Sequence, residues 1–226
     1  MKRIGLIRVI SGLGREEREA HARLLTDTYP SLRVITEEIE GFPAGVHTEQ
    51  LARQAVPAIL KVAEALFPQV DALAVSCADD PAVAQLRRRY SCPVVGAGSC
   101  LASTCLAVSE RIGVLTITEN LPTPFRTTLD ETSLVWRHVP EVGDTTDLAM
   151  AQDSILQTAT TLVEQGCTVL ALACTGFSTV GAAAFLRQRL DAVVLDPVLA
   201  MGAVLNASLA DIKGGDRRPD SPEEAW

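Results

Sequence analysis

Short β-branched runs alternate with helical stretches along almost the whole chain, and the pattern runs through twice. The expected strands are Ile4–Ile10, Arg33–Ile39, Ala72–Ser76 and Val94–Ala97. Their second-half counterparts are Arg111–Ile117, Leu134–Val139, Val169–Ala173 and Val193–Leu195. Helical spacing fills Glu16–Thr28, Glu49–Leu66, Pro81–Tyr90, Ser99–Val108 and Ser178–Leu190. Asp80-Pro81 reads as an N-cap with proline in the first turn, and Pro57 is expected to break or kink its helix. Strand, helix, strand repeated in this way dictates parallel sheets covered by helices.

The halves also match in sequence. Ile4-Gly5-Leu6-Ile7 matches Ile112-Gly113-Val114-Leu115 at an offset of 108, and Leu32-Arg33-Val34 matches Leu134-Val135-Trp136 at 102. The run Ala72 to Cys77 matches Val169 to Cys174 at 97, and Pro93-Val94-Val95 matches Ala192-Val193-Val194 at 99. Four ordered matches with similar offsets imply an internal duplication. The expected fold class is α/β: two pseudo-symmetric lobes, each a four-stranded parallel sheet flanked by helices, with the active site in the cleft between them. Residues 1–98 plus 199–212 form one lobe, 99–198 the other, and the charged, Pro-rich stretch 213–226 a loose tail.

Ligands in open parallel sheets sit beyond the carboxyl ends of the strands. Cys77 and Cys174 each follow the third strand of their lobe, so a pseudo-twofold arrangement brings two thiols to one cleft from opposite sides. A thiol between a strand end and a helix start is favoured as thiolate by the helix dipole and free amides. Asp79 and Asp80 oppose that ionisation beside Cys77, and Asp80 is expected to be used as a cap. A free Cys at a single strand end usually just packs; two at matching positions shift the balance toward chemistry. Opposed thiols suit proton transfer at a carbon acid, one removing a proton from one face of a stereocentre and the other delivering one to the opposite face. This chemistry requires no metal or other cofactor.

Around the cysteines, Ala78, Asp79, Thr175 and Gly176 are expected to contact a substrate. Arg8, a charge near the end of the first strand, has two readings: anchor for a carboxylate or carbonyl, or structural ion pair. Gly96-Ala97-Gly98 opens a helix as an anion or carbonyl nest, or is simply a tight turn. Thr116 is the preferred residue after the fifth strand, over Thr118. The loop from Gly41 to His47 reads as lying over the cleft, as a lid or a plain connector. His21, His47 and His138 lack metal-ligand spacing and are placed on surfaces. Cys92, Cys100, Cys105 and Cys167 are assigned to packing or turns, and the uncharged helix Ser99–Val108 to burial where the lobes meet.

With 20 basic and 28 acidic residues, the formal charge of −8 disfavours nucleic acid as a partner. The uncharged stretch 165–186 is long enough for a bilayer, but its glycines, threonines and serines fit strand, turn and helix better. Arg8 interrupts the first apolar run, so no signal peptide is expected; reduced thiols in a cytoplasm are. A small-molecule substrate is the expected partner, and the apolar helices are compatible with a homo-oligomer without defining an interface.

Strand-Ser76-Cys77-Ala78-Asp79-Asp80-Pro81, Gly96-Ala97-Gly98 and Ala173-Cys174-Thr175-Gly176, set on duplicated lobes, resemble the aspartate/glutamate racemase superfamily, most of all its hydantoin racemase branch. The resemblance spans roughly residues 3 to 210. It implies cofactor-independent racemisation by Cys77 and Cys174, with substrate between the lobes. The Cys-Asn-Thr and Cys-Thr-His patterns of glutamate racemases are replaced by Cys77-Ala78-Asp79 and Cys174-Thr175-Gly176, which argues against aspartate or glutamate as substrate. Hydantoin racemases often carry Cys-Ala-Gly at the second site, so Thr175 leaves ring specificity open. The rival expectations are a decarboxylase or cis-trans isomerase of the same superfamily, and a non-catalytic small-molecule binding protein.

Overall fold

A computed structural model describes residues 1–210; the expected tail at 213–226 lies outside the described residues. In the first lobe, β1 (Lys2–Arg8), β2 (Leu32–Glu38), β3 (Ala72–Ser76) and β4 (Val94–Gly96) form a parallel sheet in the order β2-β1-β3-β4. In the second, β5 (Ile112–Thr116), β6 (Leu134–His138), β7 (Val169–Leu172) and β8 (Val193–Leu195) repeat that order as β6-β5-β7-β8. The helices are α1 (Arg15–Thr28), α2 (Glu49–Leu66), α3 (Val83–Arg89), α4 (Ala97–Val108), α5 (Thr123–Thr128), α6 (Gln152–Glu164), α7 (Gly176–Thr179), α8 (Ala182–Arg187) and α9 (Pro197–Leu209).

Register tests the duplication residue by residue. Ile4 pairs with Ala72 and Ile112 with Val169, which keeps the offsets of 108 and 97. Ile4 also pairs with Val34 and Ile112 with Leu134, so the second-strand offset is 100, two less than the sequence match gave. A shift of two keeps the same faces outward, which is why composition did not expose it. Leu73 pairs with Val94 and Leu170 with Val194, which moves the fourth-strand offset from 99 to 100. The same offset relates two arginines: Arg87 Nε donates to the Val94 carbonyl at 3.0 Å, and Arg187 Nε to the Val194 carbonyl at 3.2 Å.

Each sheet is apolar on both faces, and the two faces feed different cores. Ile4, Leu6, Ala72 and Ala74 join Ile112, Val114, Val169 and Ala171 in one cluster with α4 and α9 between the sheets. Ile7, Leu73 and Val75 pack outward against α2 and α3, and Leu115, Leu170 and Leu172 against α6 and α8. Two glycines repeat this packing. A Cβ at Gly5 would lie 3.0 Å from Leu73, and one at Gly113 3.0 Å from Leu170, each beneath a leucine of the covering helix. The helices after the fourth strands tie the lobes together: α4 packs on β7 and α9, and α9 on α1, β3 and β4.

Several elements differ from expectation for identifiable reasons. α3 starts at Val83 instead of Pro81, because Ala82 is left-handed at φ 64° and Asp80 caps a different helix. The helix expected over 178–190 is split into α7 and α8 at Gly181, whose φ of 69° suits glycine. Pro57 lies inside α2 without ending it. Only one face of α4 is buried; Leu106 and Val108 are 57% and 49% exposed. Among the described residues no helix is long and apolar enough to cross a membrane, and 165–186 resolves into the turn after α6, β7, α7 and most of α8.

Candidate active site

The carboxyl ends of β1, β3, β5 and β7 open onto one solvent-connected cleft lined from both lobes. A concave site of this kind suits a small molecule. Arg8, Ser76, Cys77, Ala78, Asp79, Thr116, Ala173, Cys174, Thr175 and Gly176 all line it. Cys77 and Cys174 are 6% and 8% exposed, so both thiols contact the cavity from nearly dry positions. All six cysteines are free; Cys100, Cys105 and Cys167 are buried away from this cavity and Cys92 is half-buried.

The two sulfurs have different surroundings. Cys77 Sγ donates to the Val46 carbonyl at 3.8 Å. Burial pushes its pKa up strongly; the Asp79 amide opposes that shift, while Asp79, Cys174 and Asp80 as charges add to it. Burial also raises the Cys174 pKa, against more donors than Cys77 has. Donors from the Gly176 amide, the Thr145 hydroxyl and the Phe177 amide stabilise its thiolate, as does the Arg8 guanidinium. The Gly176 amide lies 3.3 Å from the sulfur.

Arg8 lines the cavity, but it does not form the structural ion pair that one of its two readings required. Its Nη1 donates to the carbonyls of Glu17 and Arg18 at 2.9 and 3.1 Å, and its Nη2 to Thr179 Oγ1 at 3.4 Å. Its partners are therefore α1 carbonyls and a hydroxyl of the other lobe, not a carboxylate. Burial pulls its pKa down to about 10, against the opposing charges of Glu38 and Cys174, so it remains a cation at neutral pH.

The nest reading of Gly96-Ala97-Gly98 is overturned: none of the three lines the cavity. The helix N-terminus there already holds an anion. Asp80 accepts from the Gly98 amide at 2.7 Å and the Ser99 amide at 2.8 Å. Its carboxylate occupies the space a side chain at Gly96 would take, and a Cβ at Gly98 would collide with the Ala78 carbonyl. Asp80 is thus a cap, as expected, but of α4. Burial raises its pKa, and these amide bonds and Arg87 counter the rise. The second lobe solves the same problem with Asp196, which caps α9 through the Val198 and Leu199 amides and accepts from Ser178.

Thr116 lines the cavity, yet its hydroxyl donates to the Thr118 carbonyl at 2.7 Å and so shapes the turn. Asp79 accepts from the Thr123 amide at 2.8 Å, which links the Cys77 loop to α5 in the second lobe. Thr175 Oγ1 donates to the Ser76 carbonyl at 3.2 Å and makes the reciprocal link.

His21 corrects another expectation. It is 0% exposed, with Nδ1 2.9 Å from Ser76 Oγ and Nε2 2.9 Å from Thr179 Oγ1. Ser76 precedes Cys77, and Thr179 lies in the helix after Cys174, so one imidazole clasps both lobes behind the thiols. Burial and the neighbouring Arg8 cation push its pKa well below 6.5, leaving the ring neutral. Apolar positions on either side of α1 masked it in the sequence. His47 also leaves the surface: it lines the cavity, with Nδ1 buried and unpartnered.

Sequence reasoning missed further lining residues, among them Asn120, Arg126 and Thr145, and set Thr118 aside in favour of Thr116. The loop from Gly41 to His47 reaches the cleft through Gly45, Val46 and His47, and Gly45 abuts Thr145 of the opposite lobe. Gly45 and Thr145 lie 100 residues apart, the offset that strand register, and not the sequence match of 102, gives for β2 and β6. Among the described residues no group of three or more His, Cys, Asp or Glu side chains converges as a metal site.

Two duplicated parallel-sheet lobes with paired cysteines at matching strand ends define a protein built to handle a small molecule between its halves. The chain belongs to the Asp/Glu/Hydantoin racemase family, whose profile matches residues 16–203. Its fold is similar to that of allantoin racemase from Klebsiella pneumoniae, with a TM-score of 0.81 and 19% identity over 93% of this chain and 88% of that one. Allantoin racemase from Pseudomonas fluorescens gives 0.77 and 19%, over 92% and 90%. Glutamate racemase from Bacillus anthracis gives 0.67 and 18%, over 92% and 82%. No curated sequence matches the chain significantly.

Proposed function

We propose that the protein is a cofactor-independent racemase acting on a small carbon acid, a hydantoin or related amino-acid derivative, with Cys77 and Cys174 as its two acid–base groups. The observation that carries this reading is the presence of both thiols on one cleft, each at the end of the third strand of its lobe. One thiolate takes the α-proton, and the electron pair is delocalised into the adjacent carbonyl. The opposite thiol then protonates the carbon from its other face. Amides after each strand end, and Arg8 behind Cys174, provide positive potential for the developing enolate.

A hydantoin fits better than a free amino acid. Ala78-Asp79 and Thr175-Gly176 flank the cysteines with no Asn or His, and the cavity adds the apolar Val9, Ile10, Ile117 and Leu121. The family membership and the likeness to allantoin racemases support that choice. The test is a panel of enantiopure 5-substituted hydantoins, allantoin and free amino acids followed by circular dichroism. Loss of optical activity for the cyclic ureides, unaffected by chelator and abolished by thiol alkylation, is the expected result. Binding of the same compounds without racemisation would establish a binding protein instead.

A further inference from the structure

Arg8, Glu49, Asp79 and Arg126 are the Arg, Asp and Glu side chains that line the cleft. Three of them are committed to partners within the protein. Arg8 donates to the Glu17 and Arg18 carbonyls and to Thr179 Oγ1. Glu49 Oε1 accepts from Arg53 Nη1 at 2.7 Å, an ion pair one turn along α2. Asp79 Oδ1 accepts from the Thr123 amide at 2.8 Å. Arg126 differs. Among the described residues no carboxylate forms an ion pair with it, and its guanidinium makes one hydrogen bond, from Nη2 to Thr123 Oγ1 at 3.0 Å. A guanidinium carries five N–H donors, so most of this fork is unspent.

Placement separates Arg126 from an ordinary solvated arginine. Thr123 holds it from one side and is itself held from the other, by Asp79, two residues after Cys77. The guanidinium thus stands in a fixed relation to the loop that carries one of the two thiols. In a chain with 20 basic and 28 acidic residues, the unspent charge on the cleft is a cation. On the wall supplied by the first lobe, His47 is also uncommitted: its Nδ1 is buried without a partner, so no bond at that nitrogen opposes turning of the ring toward a ligand. The neighbouring lining residues Ile117, Leu121 and Pro122 are apolar and leave Arg126 the dominant polar feature of that wall.

We propose that Arg126 is a specificity-determining residue, and that the substituent it selects on the substrate ends in a carboxylate. A planar fork of N–H donors matches the two oxygens of a carboxylate, whereas a neutral amide offers it one acceptor and no charge. His47 approaches the same group from the opposite lobe. The inference rests on the racemase reading for the choice of a hydantoin as the parent ring, but the charge preference is a property of binding and is measured without turnover.

The test compares racemic hydantoin-5-acetic acid with racemic hydantoin-5-acetamide by isothermal titration calorimetry on the full chain at pH 7.5. A racemate keeps its composition whether or not the protein racemises it, so the two dissociation constants are comparable in either case. The acid is expected to bind at least about tenfold more tightly, the lower end of what a charge-assisted hydrogen bond provides. Arg126→Gln should reduce the ratio of the two constants by about the same factor, Arg126→Lys should retain part of it, and Arg126→Glu should reverse the preference. Arg126 is exposed, and an unchanged urea midpoint checks that each variant is folded. Equal or tighter binding of the amide, a ratio unmoved in Arg126→Gln, or binding of neither compound would overturn the proposal. The acid preference without racemisation of the enantiopure acid would count against the racemase reading and leave the subsite standing. Racemisation of both compounds with no charge preference in binding would do the reverse.

Discussion

Replacing His21 by leucine tests the interlobe clasp through its pH dependence. His21→Leu keeps the bulk of a fully buried ring but removes two hydrogen bonds of 2.9 Å, to Ser76 and Thr179. Each is worth about 1 kcal/mol net, and a hydroxyl left unpartnered costs further, so about 2 to 3 kcal/mol is lost at pH 7.5. Acid changes the comparison. The folded-state pKa lies well below 6.5, so between the two values the unfolded chain binds a proton that the native ring refuses. Stability from this group is therefore full above pH 6.5 and is lost as pH falls toward the folded pKa. Going from pH 7.5 to 5.0 therefore costs the parent stability through His21, and the leucine variant none. Urea unfolding at both pH values should show the deficit of the variant shrinking at the lower pH. Other titrating groups, including the buried Asp80 and Asp196, cancel in the difference. A deficit independent of pH would mean that the imidazole is not held neutral, and the clasp as described would be wrong.

Three further outcomes follow from the geometry. Cys77→Ser and Cys174→Ser should each lower racemisation by about 10² to 10⁴, at unchanged urea midpoint, with residual exchange on one enantiomer only. Full racemase activity in either would remove the two-base mechanism. Gly98→Ala should destabilise the fold by about 1 to 3 kcal/mol, since its methyl meets the Ala78 carbonyl, and thermal unfolding measures the loss. Asp80→Ala should cost about 1 to 2 kcal/mol in the same assay, because the α4 amides of Gly98 and Ser99 lose their cap.

The architecture was readable because parallel strands buried on both faces appear as continuous apolar runs. All eight strands lie where those runs are, with ends shifted by a residue or two. Three helices passed unnoticed. In α6, the hydroxyls of Thr158, Thr160 and Thr161 donate back to carbonyls four residues earlier, and such β-branched residues weaken the helical signal. α9 carries no charge to mark an outer face, and α5 is only six residues long. In the cleft, residues at strand ends were legible because position along a strand fixes their direction. Thr145, His47 and Asn120 lie on loops, where no periodicity aims a side chain, and Arg126 lies in α5, too short a helix to show one. The Gly96-Ala97-Gly98 expectation failed because an internal carboxylate from a loop distant in sequence had already filled the helix terminus.

The most direct measurement of the central claim is racemisation of an enantiopure 5-substituted hydantoin in deuterated water, followed by NMR and chiral separation at early conversion. Two opposed thiols predict deuterium at the stereocentre of the newly formed enantiomer, while the starting enantiomer keeps its protium, with catalysed exchange well above the spontaneous rate. Equal deuterium in both enantiomers from the first time points would contradict the account, as would binding without any exchange.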